Sequence, residues 1–425
     1  MRAWTRGVRI PRYKEPAASR DILPVVPTGP VFAPLCYGEA ETSLPAAAVG
    51  AAVHKGEPLG VPREEDDAPA FATVDGVLTD VRSIGHPVFG TIACAVLQPA
   101  EEKPAPAKAK KPAKTASRPV ADAPRILEAA RRAGIIDETD GVPLYAKLSE
   151  WHGRAPDILV ADGAETEPYA SAAWAVLNES AEEVYRGLQL ANTVIGAARQ
   201  HVAVLLPKDR RRALEGRLGR GVVIPVRSKY PAGPLLPQAP DAVVCRVGVQ
   251  ACLALLRAVE NGEAHTACVL TVAGGAVANP QNVRVPFGTT AGEILRTCGL
   301  ASDPQYVIFG DAMTGVAADS LEYPILPGVT CLLALTERPV PTQRPCMGCG
   351  RCVKVCHAGL LPYEIVRRLE NMHYERLKSL LPEECDGCGA CSHVCPAGRD
   401  VTAKVLEAGR TRGGLFFNWG DDDDA

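Results

Sequence analysis

Apolar and polar positions alternate in short runs over residues 1–100. VHKGEPLGV (Val53–Val61) and FATVDGVLTDV (Phe71–Val81) read as strand–turn–strand pieces with Gly56, Gly60 and Gly76 at the turns, which predicts a small all-β unit. Residues 101–122, EEKPAPAKAKKPAKTASRPVAD, have no apolar period and read as a solvated Ala/Pro/Lys linker. Over 123–262 the period changes. RILEAARRAGI predicts a helix with Ile126, Leu127, Ala130 and Ile135 inward, and SAEEVYRGLQLANTVIGAA a second amphipathic helix. DILVAD, HVAVLLP and GVVIPV are apolar strand runs, and strands alternating with helices predict a parallel, layered α/β sheet. Val247–Val259 reads as one more helix. Residues 263–337 predict a hairpin (Cys268–Gly288), a short helix (TAGEILRTCGL) and strands near YVIFG and VTCLLAL, a small mixed sheet of the β-grasp type. A cysteine-rich segment, 338–405, follows, with Leu360–Leu381 expected as one amphipathic helix carrying Leu361, Ile365, Leu369 and Met372 inward. The chain closes with an acidic tail, 406–425. The fold class expected is therefore multidomain α+β.

Composition narrows the function. At 47% hydrophobic, 22% charged and a net charge of −3, the 425 residues have an ordinary globular balance. Near-neutral charge and 5% aromatic residues argue against nucleic acid as a partner. The apolar stretch Val247–Val259 is interrupted by Gln250 and Arg257 and is too short to span a bilayer. The N-terminal MRAWTRGVRIPRYKEP lacks the apolar core of a secretory signal, so a cytoplasmic location is expected. In that reducing compartment the 15 cysteines are not a disulfide framework. Cys36, Cys94, Cys245, Cys252, Cys268, Cys298 and Cys331 are scattered singly and read as small buried hydrophobes.

The other eight cysteines form Cys346-Met-Gly-Cys349-Gly-Arg-Cys352-Val-Lys-Val-Cys356 and Cys385-Asp-Gly-Cys388-Gly-Ala-Cys391-Ser-His-Val-Cys395-Pro396. Both runs have the C-x2-C-x2-C-x3-C spacing of bacterial ferredoxins, in which the fourth cysteine of each run ligates the other cluster. The expected ligand sets are Cys346, Cys349, Cys352 and Cys395 for one [4Fe–4S] cluster, and Cys385, Cys388, Cys391 and Cys356 for a second. Thiolates suit iron–sulfur chemistry, whereas structural zinc uses paired C-x2-C arms rather than two runs of four. The first run ends in Cys356-His357 instead of Cys-Pro, and His357 reads either as an exposed turn residue or as a hydrogen-bond donor to a cluster sulfur.

With these motifs placed, nearly the whole chain resembles the RnfC-like family. That family comprises the C subunit of the Rnf ferredoxin:NAD oxidoreductase complex and soluble relatives such as the proline-reductase-associated electron-transfer protein. The resemblance implies an N-terminal β barrel-sandwich (1–100) and an FMN/NADH-binding α/β domain like the 51-kDa subunit of complex I (123–262). It further implies a β-grasp (SLBB) domain (263–337), carried by Leu270–Thr289 and Ile308–Gly315, and a two-cluster ferredoxin-like helical module (338–405). The hairpin tip Thr73-Val74-Asp75-Gly76-Val77 offers no lysine of the kind that lipoyl and biotinyl carriers modify.

The flavin site is where the chain departs from the family. The glycine-rich loop G-x-G-G-A-G-F-P-T, whose backbone N–H groups cradle the flavin phosphate, is replaced by Asp137-Glu138-Thr139-Asp140-Gly141-Val142-Pro143-Leu144-Tyr145. The family's N-G-A-E-C-E-P-Y becomes Asp162-Gly163-Ala164-Glu165-Thr166-Glu167-Pro168-Tyr169, and its Y-P-x-G-x-E becomes Tyr230-Pro231-Ala232-Gly233-Pro234-Leu235. Lys147, Glu165, Glu167 and Tyr169 then stand as relics of a flavin pocket, and FMN is expected to be lost. The expected function is a relay of single electrons through two clusters to a partner reductase or redox complex. Its redox protein partners are expected to hold it peripherally in a larger assembly, at the inner membrane through other subunits. Two alternatives are an FMN-containing, NADH-dependent oxidoreductase subunit and a non-redox scaffold with structural metal. No catalytic triad or nucleophile pair is found.

Overall fold

The longest antiparallel pair, Gly76–His86 against Gly90–Pro99, anchors a four-stranded sheet that also takes in Val31–Pro34 and Ala52–Val53. A three-stranded sheet, Leu44–Pro45, Pro58–Val61 and Ala70–Phe71, lies beside it. Val31, Leu35, Leu59, Leu78 and Leu97 fill the space enclosed by the two. The computed structural model describes residues 6–36, 43–63, 68–100, 121–219, 221–226, 229–231, 242–301, 304–337 and 342–412. Residues 101–120 of the expected linker, 232–235 of the Tyr-Pro motif and 413–425 of the expected tail lie outside them.

The α/β unit opens at Asp122. Its carboxylate accepts the Arg125 N–H and caps the helix Ala123–Arg132. An all-parallel sheet then forms in the order Val223–Pro225, Arg199–Val204, Ile158–Gly163, Val244–Gly248. The first three strands in the chain run outward in one direction. The fourth returns to pair on the other side of Ile158–Gly163, so the strand order reverses between Ile158–Gly163 and Val244–Gly248. In open parallel sheets that reversal leaves a crevice beyond the carboxyl ends of the two strands.

The long helix Ala172–Ile195 crosses the helix Val249–Asn261 over this sheet. Gly187 makes the crossing possible: a Cβ there would sit 1.9 Å from the Cys252 carbonyl oxygen. A six-stranded mixed sheet follows, pairing the hairpin Ala267–Ala273/Gln281–Pro286 with Cys331–Leu335, Tyr306–Phe309, Val316–Ala318 and the early strand Leu23–Pro24. The helix Ala291–Thr297 packs Ile294 and Leu295 on it. The fold is thus mixed α+β, and among the described residues no helix is long and apolar enough to cross a membrane.

The scattered cysteines behave as small hydrophobes. Six are buried and Cys36 is half-buried, and burial pushes Cys94, Cys245 and Cys268 up to about 12. The helix expected over Leu360–Leu381 is shorter. It spans Pro362–Glu370, buries Ile365, Val366 and Leu369, and gives way to short 3₁₀ turns. Met372 adopts φ 55°, which no helix continues, and it and Leu361 are exposed rather than inward. Burial in that segment comes instead from the last helix, Val401–Arg412, whose Val401, Val405 and Ala408 share a core with Ile365 and Leu369.

Candidate metal centre and the crevice beside it

The two cysteine runs adopt the same local backbone. Gly348 and Gly350 (φ 66° and 67°) and Gly387 and Gly389 (φ 74° and 76°) all take the left-handed conformation that a side chain resists. These turns bring successive thiols to one side of the loop. A short helix then carries the third cysteine: Arg351–Val355 holds Cys352, and Ala390–His393 holds Cys391. The fourth cysteine of each run leaves its own helix and reaches the other run. Cys346, Cys349, Cys352 and Cys395 line one cavity of about 360 Å³. Cys356 lines a second, smaller one with Cys385, Cys388 and Cys391. Four soft donors around each cavity suit a thiolate-bound iron–sulfur cluster.

The two cavities differ in setting. Cys346 and Cys349 are exposed, while Cys391 is buried and the other cysteines of its cavity are half-buried. Burial pushes the Cys388 thiol up to about 12 and Cys391 to about 11, so a bound cation, not the protein, is what would hold them as thiolates. Thr402 Oγ1 lies 3.1 Å from Cys391 Sγ. His357 is directed at Asp386: its Nε2 lies 2.6 Å from Oδ2, and that hydrogen bond holds the imidazole above its usual range. The ring also stands beside the second run: ligand atoms of His357, Asp386 and Cys388 lie within 4.8 Å of one another.

The second cavity abuts the rest of the molecule. Tyr230 Oη donates to the Cys388 carbonyl at 2.5 Å and lies 3.2 Å from Glu167 Oε1. Glu167 in turn accepts from the Met313 N–H at 2.6 Å and the Thr314 hydroxyl at 2.7 Å. The Met313 carbonyl approaches so closely that a Cβ on Gly389 would lie 2.8 Å from it. Glu167 thus pins the loop after Phe309 against the second cysteine run.

The remaining candidate residues lie along the carboxyl edge of the parallel sheet. Lys147 is buried between Asp137 (2.5 Å) and Asp140 (2.6 Å). Burial alone would lower its ammonium, but the two carboxylates hold it above the usual lysine range. Glu165 accepts from the Ala173 N–H at 2.8 Å, and burial raises its carboxyl. Tyr169 stacks on Tyr13 at 5.3 Å. Lys14 donates to the carbonyls of Glu165 and Ala170. Asp162 is ion-paired with Arg246.

Sequence reading singled out neither Lys14 nor Asp311. The latter is half-buried next to Glu167 and Glu165, its Oδ1 has no hydrogen-bond partner among the described residues, and desolvation pushes it up to about 8. No local pattern marks either residue, since both gain their meaning from contacts more than 140 positions away.

Residues 345–399 match the 4Fe-4S dicluster domain family. Across the longer chain, 393 residues are 27% identical to the C subunit of the proton-translocating ferredoxin:NAD(+) oxidoreductase complex of Clostridium ljungdahlii, covering 85% of this chain and 83% of that protein. The C subunit of the Na(+)-translocating ferredoxin:NAD(+) oxidoreductase complex of Acetobacterium woodii is 29% identical over 61% of this chain and 63% of its own length. The C subunit of the ion-translocating oxidoreductase complex of Rhodobacter capsulatus is 30% identical over 50% of this chain and 45% of its own. The chain therefore spans most of the first relative and about half to two thirds of the other two. Among solved structures, an NAD+-reducing [NiFe]-hydrogenase in its H2-reduced state is similar at a TM-score of 0.45 and 16% identity, over 68% of this chain and 61% of that one, a likeness too loose to define the fold. The dicluster match and these three relatives agree in supporting the chain's resemblance to the RnfC-like family.

Proposed function

We propose that this protein is an iron–sulfur electron-transfer subunit that relays single electrons through two [4Fe–4S] clusters to a partner within a redox complex. The observation that carries this is the exchange of the fourth cysteine, which groups the thiols four and four instead of leaving each run to itself. Cys346, Cys349, Cys352 and Cys395 would hold one cluster, and Cys385, Cys388, Cys391 and Cys356 the other. Each bound cluster supplies a one-electron couple. The chain's own residues do the rest. Ile365, Leu369 and Val405 keep water from the inner side of the thiols, and a drier, lower-dielectric surround sets the potential. Cys346 and Cys349 form the exposed approach for a redox partner, while the second centre faces the body of the protein.

The finer domain reading goes with this proposal: barrel-sandwich within 1–100, whose strand Leu23–Pro24 joins the six-stranded sheet instead, degenerate FMN/NADH-type unit over 123–262, β-grasp over 263–337 and ferredoxin module from 338. Membership of a larger assembly, with the chain peripheral and tethered through its partners, is supported by relatives that are themselves subunits of ferredoxin:NAD(+) oxidoreductase complexes.

The test is an anaerobic preparation assayed for iron, acid-labile sulfide and flavin. About eight iron and eight sulfide per chain are expected, with no flavin released on denaturation. Bleaching of the clusters by NADH in the isolated protein would overturn the relay in favour of a flavin-dependent dehydrogenase. Iron without sulfide would favour a structural metal.

A further inference from the structure

We infer that the flavin crevice of the α/β unit is filled by the chain's own side chains, with the Glu138 carboxylate seated where a phosphate would bind, so that the domain takes no FMN. This deepens the relay proposed above and rests on its flavin-free reading.

The place is set by topology. The strand order reverses between Ile158–Gly163 and Val244–Gly248, and the helix Val249–Asn261 starts directly at the end of the second strand. A helix start facing such a crevice offers unpaired N–H donors and the positive end of the helix dipole, the usual seat of a phosphate. Here those donors are taken. Glu138 accepts from the Gln250 N–H at 2.6 Å and the Ala251 N–H at 3.0 Å, and Asp137 accepts from the Gly248 N–H at 3.0 Å. The Glu138 carboxylate lies so close over Gly248 that a Cβ there would meet it at 2.1 Å. The small residue that would let a ligand approach the backbone instead admits the loop's own acid.

The other polar groups of the crevice are matched in the same way. Lys147, a cation suited to a phosphate, is closed between Asp137 and Asp140 with 8% of its side chain exposed. Arg246 is paired with Asp162. Tyr13 covers the Tyr169 ring, the kind of flat surface an isoalloxazine would use, and is fixed there because the Tyr169 N–H donates to the Arg12 carbonyl at 2.7 Å. A flavin phosphate would have to displace the Glu138 carboxyl group from its N–H donors and then sit beside Asp137 and Asp140. Coulomb repulsion and lost hydrogen bonds both oppose it.

The test uses the full chain with its clusters, and the probes are inorganic phosphate and FMN. Wild type is expected to release no flavin and to keep its melting temperature in phosphate. Glu138→Ala frees the helix-start donors. It is expected to melt several degrees lower and to regain most of that loss in roughly millimolar to tens of millimolar phosphate, as a ligand of the folded state must. Glu138→Gln, which keeps an acceptor oxygen, should respond to phosphate several-fold less. If Glu138→Ala fails to fold, Glu138→Asp, whose carboxylate is drawn back by one methylene, is read in the same way. A flavin-free wild type whose Glu138→Ala variant ignores phosphate overturns this inference and leaves the relay standing. Stoichiometric FMN in the purified wild type overturns the flavin-free reading itself. A wild type stabilised by phosphate or FMN as strongly as the variant also defeats the inference.

Discussion

Tyr230 donates its hydroxyl hydrogen to the carbonyl of Cys388, 158 positions away, and so ties the α/β unit to the cysteine-rich module. Tyr230 is buried, and burial, reinforced by the Glu167 carboxylate, pushes its phenol above the usual range and keeps it a donor. Removing the hydroxyl by Tyr230→Phe should cost about 1 kcal/mol of stability. It should also shift the redox signal of the centre that includes Cys388, with the centre that includes Cys346 unmoved. Paired redox titrations followed by electron paramagnetic resonance read both; an equal shift of the two signals would rule out a local contact.

The exchange of fourth cysteines makes an asymmetric prediction. Cys395→Ser should abolish the same signal as Cys346→Ser, and Cys356→Ser the same signal as Cys385→Ser, although each pair spans both runs. Iron content should fall by about half in each single variant. Loss of the same signal by Cys346→Ser and Cys356→Ser would mean that each run serves its own centre.

Gly187 sits where the helices Ala172–Ile195 and Val249–Asn261 touch, and a Cβ would enter the Cys252 backbone. Gly187→Ala has nowhere to relax because the obstacle is main chain. A loss of about 1–3 kcal/mol is expected. Thermal melts of wild type and variant check it, and an unchanged midpoint would show that the helices can separate freely.

Stability should peak in mildly acidic solution. Burial raises Glu138 and Asp311 to about 8 from usual values of 4.5 and 3.8. Their contribution is therefore complete below the unfolded values and is lost as pH rises toward about 8. His86 is buried and His265 half-buried, and desolvation lowers both imidazoles to about 4 from 6.5. Their contribution is complete above about 6.5 and is lost as pH falls through about 4. His86 is held by the Pro324 carbonyl and the Val88 and Phe89 N–H groups, and His265 accepts from the Ile136 N–H. Melting temperatures across pH 4 to 9 should show both limbs. Glu138→Gln should flatten the alkaline limb alone, and an alkaline slope unchanged in that variant would remove the assignment.

Much of the local architecture was legible in the sequence. The alternation around Phe71–Val81, the helix periods after Asp122 and the hairpin at Cys268–Gly288 are patterns of nearest neighbours along the chain. Backbone geometry converts them to structure without outside help. The interleaved glycines of the cysteine runs are of the same kind, because two left-handed residues in each run turn three thiols to one side. Periodicity misled over Leu360–Leu381, where Met372 adopts a left-handed turn and a later helix, Val401–Arg412, supplies the burial instead.

The sequence by itself determined the spacing of the eight thiols, the alternation of strands and helices, and the acids that replaced glycine at Asp137, Glu138 and Asp140. What those acids do was decided only in three dimensions. Glu138 meets the N–H groups of Gln250 and Ala251 because the parallel sheet reverses its strand order and places that helix start opposite the loop. Lys14, Tyr13 and Tyr230 reach their partners in the same long-range way. Spacing encodes contacts within a turn or two of chain, whereas the pairing of a charge with a donor a hundred residues away depends on which faces the packed core brings together.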